Sequence, residues 1–345
     1  MNYSIPVNKY VNKKELDKHL HSLPHVPNAI PYVTSYYEKQ WGFCISHNER
    51  KKLNSGRYKV VIESNFKKGI LPVVESVIKG KSKKEIVFTS YICHPSMAND
   101  QLSGPITLLL LYQRLIKIKK PRFSYRFIFM PETIGSLCYL SKNYKNLKRD
   151  IIAGYTVSLT GGSGPIVYRK ARDESSLTNI VIARVLKNKK SISENFNPSK
   201  GNDQRQFCSP GYNLPIGSLT NTQPNKTMEY HTSMDNIKNV KKENIIKIVD
   251  ICVQVVKEFE SLEIYKSLKP YGEPFLSKYN LYPTISKGSS INLMRNSTKA
   301  IMWLLNYSDG NNDVFEISKK SEVDLKTLRK AVKVCLKKKL LRKID

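Results

Sequence analysis

The stretch EIVFTSYICHPSMANDQLSG, residues 85–104, decides the architecture. It begins charged, turns almost continuously apolar through Cys93 and stops at His94-Pro95, the pattern of a central strand buried on both faces. From Gly104 to Ile118 the apolar spacing becomes helical, with Pro105 in the first turn, where a proline costs no hydrogen bond. Upstream, Tyr58–Glu63 and Ile70–Ile78 read as strands. Downstream come a strand at Tyr125–Met130, a helix from about Gly135 and an apolar run at Ile151–Leu159. Strand, helix, strand, helix at these lengths predicts a largely parallel sheet built by crossovers. Past an Asn/Ser/Lys-rich stretch near 188–202, a short apolar segment at Leu214–Leu219 and an amphipathic helix over about Lys241–Leu262 complete the unit.

On either side the composition shifts. Residues 1–55 are rich in Pro, Tyr, His and Asn, which disfavours long helices and predicts turns with short strands. Pro270, Gly272, Pro274, Pro283 and Gly288 mark a linker. Behind it, Lys299–Asn306, Val314–Lys320 and Asp324–Lys338 read as three helices, the size of a winged helix-turn-helix. The expected division is therefore 1–55, 56–265, a linker over 266–293, and 294–345.

The 345 residues carry 58 basic and 28 acidic side chains, a formal charge of +30, and 40% are hydrophobic, which excludes a disordered chain. Two readings stand for the charge: lysine- and asparagine-rich coding without any partner, or attraction to nucleic acid or another acidic surface. The longest apolar run, Ile106–Tyr112, falls far short of the roughly 20 residues of a membrane-spanning helix. Residues 1–20 lack the continuous apolar stretch of a secretory signal, so the cytoplasm is the expected compartment. The six cysteines are scattered singly, which argues against a zinc knuckle or a disulfide framework.

The chemistry gathers where predicted strands end, which is where ligands bind in open α/β sheets. His94 and Asp100 follow the first strand, Glu132 follows the next, and His231 stands in the late segment Glu229–Asn236. Two neutral imidazoles and a carboxylate are the three protein ligands common to catalytic zinc, and a further carboxylate can take the proton of its water. The bland alternative is scaffolding: a hydrogen-bonded histidine, a glutamate in a helix cap, and Asp100 capping the helix that begins near Ser103.

Together these residues carry a resemblance. His94 with Asn99–Gly104, then Glu132–Ser136, Asn202–Phe207 and Tyr230–Asp235, is similar to the ordered motif set of zinc-dependent aminopeptidases related to the glutaminyl cyclases. More narrowly, the chain resembles a bacterial family with an aminopeptidase-like domain, a β-rich insertion and a C-terminal winged helix, often found near surface-polysaccharide genes. The resemblance implies an α/β fold: a mostly parallel mixed sheet flanked by helices, with a β-rich segment before it and the winged helix behind. It also implies that His94, Asp100 and His231 are metal ligands, with Asp100 the bridging one in dinuclear relatives, and that Glu132 is the proton-shuttling base. Thr133 stands where a second glutamate ligand is expected, and Ser158 near a missing acidic one, so one zinc ion is expected rather than two. Asp203, Arg205 and Tyr230 are the expected pocket residues. Arg205 would either grip a substrate carboxylate or pair with Asp203. Relatives have more chain ahead of residue 1, which implies a shortened form.

The implied function is hydrolysis of an amide in a peptide or an N-acylated amino sugar. The rival reading is a non-catalytic regulator or scaffold whose winged helix binds DNA or protein. Its Lys326, Arg329, Lys330 and Lys333 are phosphate-type contacts that predict non-specific nucleic-acid binding. A serine or cysteine hydrolase is disfavoured: no Gly-x-Ser-x-Gly elbow surrounds Ser103, and Cys93 is expected within a strand.

Overall fold

Prolines and polar residues break the first segment into short elements, β1 (Val7–Asn12), α1 (Lys13–Asp17), β2 (Leu20–His21), β3 (Phe43–Cys44) and α2 (His47–Lys51), and β1 pairs antiparallel with β4 (Arg57–Ile62). The computed structural model describes residues 1–36, 38–200, 202–282 and 290–344. Pro283 and Gly288 of the expected linker lie outside the described residues.

The central unit runs β5 (Val74–Ile78), β6 (Glu85–Tyr91), α3 (Ser103–Leu115), β7 (Ser124–Met130), α4 (Ile134–Asp150), β8 (Ile151–Val157), β9 (Ile166–Arg169), α5 (Leu177–Leu186), β10 (Ser191–Glu194), α6 (Gln204–Phe207), β11 (Ile216–Thr220) and α7 (Lys242–Ser261). Its seven strands lie in the order β10-β9-β11-β8-β6-β7-β5. The contacts of β6 with β7 and β8, and of β8 with β11, are parallel; β5 runs antiparallel to β7 and β9 antiparallel to β11, so the sheet is mixed. Every residue of β6 is buried, as its apolar run requires. Alternate side chains go to opposite faces. Ile86 and Phe88 pack with α3, α5 and α7, while Val87 packs with α4 and Phe207. Gly104 lets α3 approach this sheet, because a Cβ there would collide with Ser90 Oγ and the Val157 carbonyl. No described helix is long and apolar enough to cross a membrane.

The C-terminal unit comprises β12 (Ile264–Ser267), α8 (Ser290–Tyr307), β13 (Asp309–Asp313), α9 (Val314–Ser321), α10 (Leu325–Lys337) and β14 (Leu341–Lys343). Strand β12 is the middle strand of its sheet, between β13 and β14, and follows α7 almost directly, across the position where the linker was expected to begin. A piece beginning at Met294, where the last unit was expected to start, would lack this strand. The unit is also bolted to the sheet domain. Arg184 of α5 donates to Asp313 at 2.8 and 3.0 Å and to Glu316 at 3.0 Å, and all three side chains are largely buried. Arg122 donates to the carbonyls of Leu262 and Ile344. On α10 the charges are not all free either, since Arg329 pairs with Glu263 at 2.7 Å. Lys326, Lys330, Lys333 and Lys337 remain exposed on one helical face.

Candidate metal centre

Because β6 and β7 run parallel with Tyr91 opposite Met130, the chain leaves both strands side by side and brings His94 next to Glu132. The imidazole Nε2 lies 3.7 Å from Glu132 Oε2. After β6 the backbone makes one π-helical turn, Ala98–Leu102, before entering α3. That turn is held by three side chains. The carboxylate of Asp235 accepts the N–H groups of Asn99 at 2.7 Å and Asp100 at 2.9 Å, Ser103 Oγ donates to the Asn99 carbonyl, and Gln101 Oε1 accepts His94 N–H at 2.6 Å. Asp100 is therefore not the cap of the helix near Ser103. Its own side chain turns into the site, where Tyr91 Oη donates to Oδ1 at 2.5 Å.

The other oxygen, Asp100 Oδ2, lies 3.0 Å from His231 Nε2, the separation of an ion pair. Yet both atoms are buried without a hydrogen-bond partner among the described residues. The distance of a contact without its angle is what two ligands aimed at a common third point produce. Ligands about 2.0–2.1 Å from a tetrahedral zinc stand roughly 3.3 Å apart. His94, Asp100 and His231 each offer an atom within 4.8 Å of the others, so the residues present fit a small divalent ion, and a His₂Asp donor set suits zinc.

His231 sits at φ 55°, outside the usual range of an L residue, and the N-terminal segment holds it there. Its carbonyl accepts Tyr32 N–H at 2.8 Å, Pro31 bridges to Thr232, and Ile30 and Ser233 exchange hydrogen bonds. Tyr32 leans over both imidazoles, with ring centroids 5.8 Å from His94 and 5.3 Å from His231. Tyr32 lies outside every motif read from the sequence, and Tyr91 and Gln101, though inside the stretch 85–104, had no role assigned. Asp235 stood in a quoted motif without a role.

Burial holds the His94 pKa below the ordinary imidazole value, favouring the neutral form a ligand needs. Burial, followed by the charges of Asp203 and Asp100, pushes Glu132 up to about 7. Cys93 lies beyond the end of β6 rather than within it. Its sulfur accepts Glu132 N–H at 3.1 Å and stands 3.4 Å from His94 Nδ1. If Nδ1–H points at that sulfur, Nε2 is left with its lone pair for a metal. Burial raises the thiol to about 11, so it is no nucleophile at neutral pH.

Two of the expected pocket residues are placed elsewhere. Asp203 is buried under the start of α4, where its Oδ1 accepts Thr133 N–H at 2.7 Å and Ser136 Oγ–H at 2.8 Å. Those bonds hold Thr133 at φ 61°, strained for a β-branched residue. Arg205 does not line the cavity beside the site, and among the described residues it forms no ion pair with Asp203. Its charge still lowers the pKa values of Glu132 and Asp203. Tyr230 does line the cavity and stacks on His231 at 4.0 Å. At the position of the missing acidic ligand, Ser158 Oγ accepts Asn202 Nδ2 at 3.0 Å.

Burial raises Asp203 from its ordinary 3.8 to about 6, against the hydrogen bonds it accepts. A raised carboxyl holds its proton more tightly in the folded chain, so unfolding releases a proton between these values and stability is lost as pH rises through them. Asn at 203 keeps both hydrogen bonds, which go to one oxygen, and carries no charge. Relative to the parent, Asp203→Asn should therefore gain about 2–3 kcal/mol between about pH 3.5 and about pH 7.5. Metal-free denaturant titrations at both pH values measure it, and a pH-independent difference would refute the assignment.

Residues 4–262 match the profile of a family described as a domain of unknown function, DUF4910. The chain belongs to that family. Residues 263–343 match a winged helix-turn-helix profile. A Clostridium acetobutylicum candidate polysaccharide biosynthesis protein with an aminopeptidase-like domain is 36% identical over 344 residues, covering 99% of this chain and 78% of that one. The crystal structure of a candidate peptidase from Clostridium acetobutylicum superposes with a TM-score of 0.75 at 34% identity, covering 100% of this chain and 77% of that one. A zinc aminopeptidase from Bacillus subtilis superposes with a TM-score of 0.51 at 15% identity over 67% of this chain and 61% of that one, a likeness of fold. DUF4910 in this chain is thus an aminopeptidase-like α/β domain followed by a winged helix.

Proposed function

We propose that the chain is a single-metal amide hydrolase acting on a peptide or an N-acylated amino sugar. The observation that carries this reading is the unpartnered pair Asp100 Oδ2 and His231 Nε2 beside His94, with a carboxyl raised to about 7 at its edge. Zinc held by His94, Asp100 and His231 would supply Lewis acidity and a water of lowered pKa. Glu132 takes a proton from the attacking water and passes it to the nitrogen as the C–N bond breaks, leaving a carboxylic acid and an amine. Tyr91 and Asp235 position Asp100, Tyr32 and the backbone around it position His231, and Tyr230 walls the cavity. The polysaccharide biosynthesis named for the Clostridium acetobutylicum relative supports a sugar-containing substrate. On this reading the winged helix adds only electrostatic contact, through the lysine face of α10.

Purified full-length chain, made without chelators and assayed for metal and for hydrolysis of aminoacyl and N-acyl-sugar amides, tests it. About one metal per chain with turnover of one of these classes is the expected result; metal-free, inert protein refutes it. The same preparation titrated with duplex DNA should lose binding between low and about 200 mM salt. A sequence-selective complex surviving that salt would assign the chain to regulation instead.

A further inference from the structure

The cavity that opens from the metal centre, about 400 Å³ in volume, has a mixed lining in which hydroxyl and amide side chains alternate with apolar ones and three cations contribute. His94, Asp100 and Glu132 line it at the metal centre and Arg169 lines it from β9, with Lys200 and Lys226 also in its wall. The strands set the distance between Arg169 and the metal centre. Arg169 pairs with Ser218, Ser218 with Thr156, and Thr156 with Thr89 of β6, the strand that leads to His94. Three inter-strand steps of about 4.8 Å separate the two backbones, and side chains reaching in from both shorten the gap.

The cations have unused donors. Arg169 is largely buried, and although it donates to Glu194 at 2.8 Å, its Nε has no partner among the described residues. Lys200 and Lys226 are exposed, and neither has a carboxylate within 4.0 Å among the described residues. Of the three cations, only Arg169 has a carboxylate partner among the described residues. The wall also offers Ser158, Asn202, Ser218 and Gln223, with Leu159, Val167 and Pro224 as apolar contacts. Ser218 is only 2% exposed, and its hydroxyl has no partner among the described residues. A peptidase pocket for an apolar side chain would be lined the other way, with few polar groups.

From this layout we infer that the substrate is an N-acyl amino sugar bearing an anionic group, a carboxylate or a phosphate. The amide lies at the metal centre, the ring hydroxyls meet the Ser, Asn and Gln side chains, and the anion reaches Arg169, Lys200 and Lys226. The inference rests on the hydrolase reading for its orientation, and it is tested by binding alone. Full-length Glu132→Gln protein, which holds a ligand without turning it over, is titrated calorimetrically with N-acetylglucosamine, N-acetylglucosamine 6-phosphate, N-acetylmuramic acid and the dipeptide Ala-Glu.

At least one of the two acidic sugars should bind about tenfold or more tighter than the neutral sugar, as charge-assisted bonds allow. Lys226→Gln, at an exposed position that folding does not depend on, should remove much of that preference and leave the neutral sugar unchanged. Arg169→Gln should remove more of it. Equal affinity for neutral and acidic sugars, or tightest binding of Ala-Glu, overturns the inference. An acidic-sugar preference in a chain that cleaves no amide upholds the inference and refutes the hydrolase reading.

Discussion

Glu132→Gln is expected to lower turnover by about two or more orders of magnitude while the bound metal stays in place. Glutamine keeps the length and one acceptor oxygen but cannot accept and return a proton. The backbone around it is set by other atoms, since Glu132 N–H is bound to Cys93 Sγ and Thr133 N–H to Asp203, so the substitution leaves the turn intact. A carboxyl pushed up to about 7 is matched to moving protons near neutrality, and an obligate ligand would gain nothing from that shift. Metal content and turnover measured on the same sample separate the two roles. Loss of the metal from Glu132→Gln would make the residue a ligand and reverse the assignment.

His231→Ala should strip the metal from the chain. With three protein ligands there is little redundancy, and the two that remain, His94 and Asp100, leave most of the coordination shell to water. The fold around position 231 should survive, because Tyr32 N–H binds the backbone carbonyl of residue 231 and not its ring. Asp235→Ala is the graded companion. It frees the N–H groups of Asn99 and Asp100 without touching a ligand atom, and an outer contact of this kind is worth about 10–100-fold in metal affinity. Metal analysis after dialysis against a weak chelator should rank the parent above Asp235→Ala and Asp235→Ala above His231→Ala. Unchanged metal in His231→Ala would remove the proposed centre.

Much of the fold and part of the site were legible in the residues themselves. The run through β6 is so apolar that only a strand buried on both faces accommodates it, and the turn residues that follow place His94 at a strand end. The same logic placed Glu132 after β7. The limits of α7 and α10 were readable for the same reason, and Asp324, expected to open the last helix, accepts Thr327 N–H at its start; α8 begins at Ser290, nine residues before the expected Lys299, and α5 was not expected.

What depends on chain segments far apart in sequence was not legible. Asp203 was expected in the pocket from the family resemblance of its motif, yet packing carried it beneath α4, where two donors claim its oxygen. Strand β12 is four residues long and resembles the end of a helix followed by a linker, and only pairing on both sides makes it the centre of a sheet.

The sequence by itself determined the α/β class, the winged helix and the chemical types available at the strand ends, because periodicity and residue chemistry are local properties. Only the tertiary structure decided that Asp100 and His231, 131 positions apart, face each other with unpartnered atoms, that Tyr32 and Asp235 hold them there, and that Arg169, Lys200 and Lys226 share the adjoining cavity. Those facts follow from strand order and loop packing, where the free energy of burying distant surfaces against one another, and not local propensity, selects the arrangement.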